Sequence, residues 1–315
     1  MSTLSNARLG SANTYDTAVR NITTRQSTLS ALQENLTSGK RVVRASDDPT
    51  SAAMAERAQT RISRIATDQR GLAAQVNALT QAESTLGDVS DALQRFRELT
   101  VSAGNGAYSS AERKIIAVEM QGLRDQIYAL ANREDSNGQP LFSALGSALK
   151  PFVGPQAPPA PDYTFNGLPG QPVSSPVSVP FALDGNSAFM LTPTASNGNR
   201  VSLFSVLDAA ITGIGQAVDS SAASVAVTEA LSNIDIGMVK VSAIRGQAGE
   251  LLNRADRISG NQEKRSIQLE ADRSRAEDLD MVKGISDFQN QQTGYQAALQ
   301  SYAQVQKLSL FNYIG

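Results

Sequence analysis

Residues 49–106 read PTSAAMAERAQTRISRIATDQRGLAAQVNALTQAESTLGDVSDALQRFRELTVSAGNG. Within this run Ile62, Ile65, Leu72, Val76, Leu79, Leu86, Val89, Leu93, Phe96 and Leu99 fall on a repeat of about 3.5 residues, which lays one apolar stripe along one helix face. Such a stripe is covered by another helix. Asp47 or Asp48 can cap the start, and Pro49 suits the first turn because an N–H missing there costs no helical bond. Gly104-Asn105-Gly106 ends the run. A helix of about 50 residues spans roughly 75 Å at 1.5 Å per residue, more than a single compact core requires. The stretch predicts a long-helix bundle.

The flanks repeat the pattern. Upstream, Ala18, Ile22, Leu29, Leu32 and Leu36 follow spacings of four and three with Arg25 at the one polar step, and Gly39 offers a left-handed C-cap. Downstream, residues 110–132 carry Ile115, Val118, Leu123, Ile127 and Leu130. Helix resumes near Leu203 and runs from about Val225 toward Asp280, through Gly237, Gly246, Gly249 and Gly260, which are expected to weaken it. A last segment carries Tyr295, Leu299, Tyr302, Val305 and Leu308, with Phe311 beyond. Between these arms the composition changes: of 12 prolines, one is Pro49 and the others lie between Pro140 and Pro193. Short β-compatible stretches, Tyr163–Phe165, Val177–Leu183 and Phe189–Thr192, suggest a small inserted β domain. The expected fold is mainly α, a long antiparallel bundle or coiled coil formed by both chain ends. Three parts are expected: terminal helices at 1–40 and 283–315, a long-helix bundle at 41–140 and 200–282, and a Pro/Gly-rich insert at 141–199.

Composition narrows the chemistry. The 315 residues hold 28 basic and 30 acidic side chains, a net charge of −2, with no His, Cys or Trp. That balance is too even for a dedicated nucleic-acid or anionic-membrane surface. Without His and Cys, the usual general base at neutral pH, thiolate nucleophiles and nearly all transition-metal sites drop out. No phosphate-binding loop occurs, and Gly213-Ile214-Gly215 lacks the third glycine of a dinucleotide fingerprint. Asp135-Ser136-Asn137-Gly138 reads as a turn rather than a calcium loop. Glu270, Asp272, Glu277, Asp278 and Asp280, interleaved with Arg273, Arg275 and Lys283, read as a solvated helix face. No enzyme, no cofactor and no metal are expected. The first 30 residues contain no apolar stretch able to serve as a signal-peptide core, so the general secretory route is not expected.

A stripe of five apolar residues on about 20 helical residues does not offset the cost of ordering the chain. The ends therefore need partners: each other, antiparallel, and then neighbouring copies. An assembling structural protein is expected, whose ends are mobile until they pair.

Several motifs resemble the flagellin family. Leu36-Thr37-Ser38-Gly39-Lys40-Arg41-Val42 with Ser46-Asp47-Asp48-Pro49 resembles its N-terminal signature, with Gly39, Arg41, Asp47, Asp48 and Pro49 as motif and cap residues. Leu93-Gln94-Arg95-Phe96-Arg97-Glu98-Leu99-Thr100-Val101 with Asn105-Gly106 is similar to its core-helix segment. Ala131-Asn132, Asn137-Gly138 and Leu141-Phe142, then Gln291–Leu299 and Leu308–Tyr313, are similar to the family's hook–filament junction branch. The resemblance implies an adaptor ring of identical subunits between another hook-associated protein and flagellin. It also implies export through the flagellar type III channel with a cytosolic chaperone, and no membrane insertion. Ala18, Ile22, Leu29, Leu32, Leu36, Tyr295, Leu299, Tyr302, Val305, Leu308 and Phe311 are the expected assembly seam. A filament subunit and a cytosolic helical scaffold or signalling protein are the competing readings.

Overall fold

The computed structural model describes residues 3–146, 150–155, 163–170, 175–191 and 201–314; side chains of the terminal helices are described from Tyr15 to Gln306, Val305 excepted. Among the described residues, seven helices and one two-stranded sheet follow in the order α1 (Thr3–Ser38), α2 (Pro49–Ala103), α3 (Ser110–Ala131), β1 (Phe152–Val153), β2 (Thr164–Phe165), α4 (Gly185–Phe189), α5 (Leu203–Gly215), α6 (Ser220–Glu277) and α7 (Met281–Ile314). Two compact units form, one from residues 1–65 with 264–315 and the other from 66–263. The boundary falls within α2 and α6.

In the second unit α2 and α6 run antiparallel: Arg245 Nε donates to Glu83 Oε1 at 2.7 Å, and Arg97 Nε to Asp235 Oδ1 at 2.8 Å. The predicted stripe of α2 is its buried face, with Leu79, Leu86, Val89, Leu93 and Phe96 fully buried. Val241, Ala248 and Ala255 meet the same core from α6. The four glycines do not interrupt α6. Gly237 is buried, and a Cβ there would lie 2.6 Å from Leu203 Cδ1, so its missing side chain admits α5. Tertiary packing outweighs its low helix propensity.

The start of α3 is fixed by a capping box, with the Ser109 hydroxyl accepting from the Glu112 N–H and the Glu112 carboxylate accepting from Ser109. Of the residues expected on one side of α3, Ile127 is buried and Leu123 and Leu130 are half-buried, whereas Ile115 and Val118 are exposed; Met120 and Ala131 complete the buried face instead. The chain then enters the insert through Asn132, whose Oδ1 accepts the Phe152 N–H at 2.9 Å. Phe152 pairs opposite Phe165 and Val153 opposite Thr164. The insert carries less sheet than its composition suggests. Val177–Leu183 contains no strand, and Phe189 closes α4; Thr192 lies outside the described residues. Pro176 and Pro180 withhold the N–H donors that a ladder needs.

Aromatic packing holds the insert instead. Phe152 lies 5.2 Å from Phe189 and 5.4 Å from Phe204, and Phe142 lies 5.6 Å from Phe189, in edge-on geometries. Beside this cluster Arg124 is buried between α3 and α5. Its Nη2 donates to Asp208 Oδ2 at 2.9 Å, while Nε sits 2.7 Å from Oδ1 off the hydrogen-bonding direction, an ion-pair contact. The Tyr163 hydroxyl donates to the same Oδ2 at 2.6 Å, and the guanidinium lies over the Tyr163 ring at 5.3 Å.

Candidate assembly interface

The first unit is built on the pairing of α1 with α7. Three contacts fix their direction: the Tyr302 hydroxyl donates to that of Tyr15 at 2.9 Å, Arg25 Nη1 donates to Gln291 Oε1 at 3.2 Å, and Gly284 lies against Leu36. As the α1 number rises the α7 number falls, so the helices are antiparallel. On α1 the expected residues Ala18, Ile22, Leu29, Leu32 and Leu36 are half-buried in this seam, with Arg25 among them. On α7 the seam runs through Gly284, Phe288, Gln291, Tyr295, Ala298 and Tyr302. Leu299 stands off it and is 41% exposed, next to the α1-facing Ala298. Ile285 and Val282 are also exposed on α7, as is Val19 on α1. The side chains of Val305, Leu308 and Phe311 lie outside the described residues.

The two helices end beside each other. α1 stops at Ser38, and Gly39 follows with φ 71°, the left-handed conformation that an L side chain resists. Opposite it α6 gives way to α7 over Asp278–Asp280, and Lys40 and Asp278 form an antiparallel bridge. The Leu279 N–H donates to Gly39 O, and the Arg41 N–H donates to Glu277 O at 2.8 Å. Lys40 Nζ pairs with the Glu277 carboxylate, which also accepts from Arg273 Nη1. Thus Glu277 belongs to an interarm contact, its side chain 17% exposed, and not to a solvated face. Linear sequence hides this because Lys40 is 237 residues away.

Arg41 closes the junction from the other side. Its Nη2 donates to Ala276 O at 2.7 Å and to Ser51 Oγ at 3.1 Å, while Nη1 reaches Asp48 Oδ2 at 3.2 Å. The two aspartates divide the work that either was expected to do. Asp48 is the cap of α2, accepting the Ser51 N–H at 3.0 Å; Asp47 ties the preceding turn by accepting from Val43 and Arg44. Hydrogen bonds from Ser51, reinforced by Arg41, hold the Asp48 carboxyl at a pKa of about 2. The hydrogen bond to Tyr15 raises the Tyr302 phenol.

Sequence reasoning missed three contacts in this unit: Lys40 with Glu277, Tyr15 with Tyr302, and Arg25 with Gln291. Only the interruption of the stripe at Arg25 was a usable signal. Among the described residues, no group of three His, Cys, Asp or Glu side chains could hold a metal, and no helix is long and apolar enough to cross a membrane.

Comparison with known proteins agrees with this architecture. The bacterial flagellin N-terminal helical region matches residues 11–146, and the bacterial flagellin C-terminal helical region matches residues 231–314. The chain is 31% identical over 313 residues to flagellar hook-associated protein 3 of Escherichia coli, covering 94% of this chain and 96% of that one. It is 28% identical over 258 residues to flagellin of Bacillus subtilis, covering 81% of this chain and 82% of that one. The crystal structure of flagellar hook-associated protein 3 from Legionella pneumophila shares the fold, with a TM-score of 0.59 at 18% identity over 69% of this chain and 97% of that chain. Paired helical ends, the capped junction and near-complete alignment at both arms establish that the chain belongs to the flagellin family, on the side of its hook-associated protein 3 members.

Proposed function

We propose that this protein is a structural adaptor at the bacterial flagellar hook–filament junction, linking another hook-associated protein to flagellin as a ring of identical subunits. The observation that carries the reading is the alignment over 94% of the chain with hook-associated protein 3, broader and closer than that with flagellin. The mechanism has no chemical step. Residues 1–40 and 283–315 form the assembly ends, 41–140 and 200–282 the supporting bundle, and 141–199 the insert. The seam has two layers. Ala18, Ile22, Leu29, Leu32, Leu36, Tyr295 and Tyr302 join the ends of one chain, whereas Leu299, with Ile285, Val282 and Val19, offers an apolar face to the next subunit. Apolar burial between subunits supplies the binding energy.

Export follows the flagellar type III route, with a cytosolic chaperone covering the C-terminal helix until release. Complementation tests the reading. Expression in Escherichia coli lacking hook-associated protein 3 is expected to convert shed flagellin monomers into attached filaments. Purified protein that grows unaided into long filaments would replace this reading with that of a filament subunit.

A further inference from the structure

The α7-facing stripe of α1 is leucine-rich except at Arg25, the one charged residue among Ala18, Ile22, Arg25, Leu29, Leu32 and Leu36. Two features of α7 receive that charge. Gln291 Oε1 accepts from Nη1 at 3.2 Å, and Gly294 leaves open the space the guanidinium enters, since a Cβ there would lie 2.6 Å from Nη1. Arg25 and Gln291 lie along a groove of about 520 Å³ bordered by Ala18, Thr24 and Tyr302.

We propose that Arg25 is a pairing key, which makes the stripe of α1 select α7 and refuse α1 of a second copy. Without the charge, Ile22, Leu29, Leu32 and Leu36 are self-complementary, and two α1 helices could bury them against each other. With it, a parallel α1 pair sets two guanidiniums side by side. An antiparallel pair that joins the leucines sets each guanidinium among branched apolar side chains of the other copy, without the notch that Gly294 provides on α7. Only α7 supplies both acceptor and space. A lone polar residue in a helical seam costs stability and gains choice of partner. The inference goes beyond the adaptor reading and rests on the α1–α7 seam alone.

The chain has no cysteine, so Ser27→Cys on the exposed side of α1 takes a single spin label. Any dipolar distance then comes from a second copy. The chain with Arg25 retained is expected to give none and to sediment as a monomer. Arg25→Leu is expected to give a resolved intermolecular distance and a concentration-dependent dimer, and Arg25→Lys to remain monomeric, because an ammonium among leucines is as poorly solvated. Gly294→Leu fills the notch from the other helix; it is expected to speed amide exchange over residues 18–36 without producing a dimer. Leucine matches arginine in helix propensity and suits the apolar seam, so Arg25→Leu does not unfold α1. An Arg25→Leu chain that stays monomeric, or a dimer through α1 with Arg25 in place, would overturn the proposal. Complementation is scored separately, so a failed adaptor role and a failed pairing key give different results.

Discussion

Asp48 shows how one carboxylate ties local structure to the junction. It caps α2 through Ser51 and anchors Arg41, which in turn binds the last turn of α6. Its pKa of about 2 lies below the ordinary 3.8, so its ionised form is favoured in the folded chain. The stabilisation is complete above about pH 4 and is lost as pH falls through about 2. Asp48→Asn retains the cap but not the titration; its Tm deficit relative to the unsubstituted chain should shrink as pH is lowered across that window, and a pH-independent deficit would refute the assignment. Asp48→Ala should loosen the start of α2 at every pH, read as faster amide exchange over residues 51–55. A second residue-scale test is Tyr163→Phe, which removes one donor from Asp208 inside the insert's anchor. Urea denaturation should show a loss of about 1–2 kcal/mol. The cap at 47–49 was legible in sequence because a cap is local: an acceptor, a proline and a helix start within three residues. The roles of Glu277 and Arg25 were not, because their partners arrive from the opposite end of the chain.

At the scale of elements, the 3.5-residue repeat foretold α2 closely because its stripe is buried for most of its length. The insert was harder to read. β-compatible residues at 177–183 find no neighbouring strand, and the segment is held by packing and by the Val179 N–H donating to Gln75 Oε1 at 3.1 Å. The glycines of α6 were read as weaknesses, yet sequence alone could not separate a glycine required by packing from one that is merely tolerated. Gly237 and Gly246 make that separation testable. Nothing lies within 4 Å of a Cβ at Gly246, so Gly246→Ala should stabilise by roughly 0.5–1 kcal/mol through reduced unfolded-chain entropy and better helix propensity. Gly237→Val, built against Leu203, should instead destabilise by about 1–3 kcal/mol through overpacking. Chemical denaturation of the two variants decides it: equal shifts of one sign would show that α5 does not rely on the gap at Gly237.

For the molecule as a whole, burial is unevenly distributed between its two units, and that unevenness bears directly on assembly. The core of residues 66–263 contains fully buried Leu79, Leu86, Val89, Leu93 and Phe96, so Leu93→Ala should cost about 2–5 kcal/mol. The α1–α7 seam holds half-buried side chains from Ala18 to Leu36 and leaves Val282, Ile285 and Leu299 exposed. A seam of that kind opens at lower free energy than the core. In the isolated chain, amide exchange over 15–38 and 281–302 should therefore be much faster than over 79–99, and equal protection would identify a self-sufficient bundle that needs no neighbour. If the exposed apolar face is where the next subunit docks, its charge, rather than the stability of the core, controls assembly. Leu299→Asp adds a carboxylate to that face and removes nothing from the core. The substituted chain should keep the slow exchange of residues 79–99 and still fail to restore swimming in cells lacking hook-associated protein 3. Motile cells carrying Leu299→Asp would show that subunits meet elsewhere, whereas loss of core protection together with motility would show that Leu299 acts through folding.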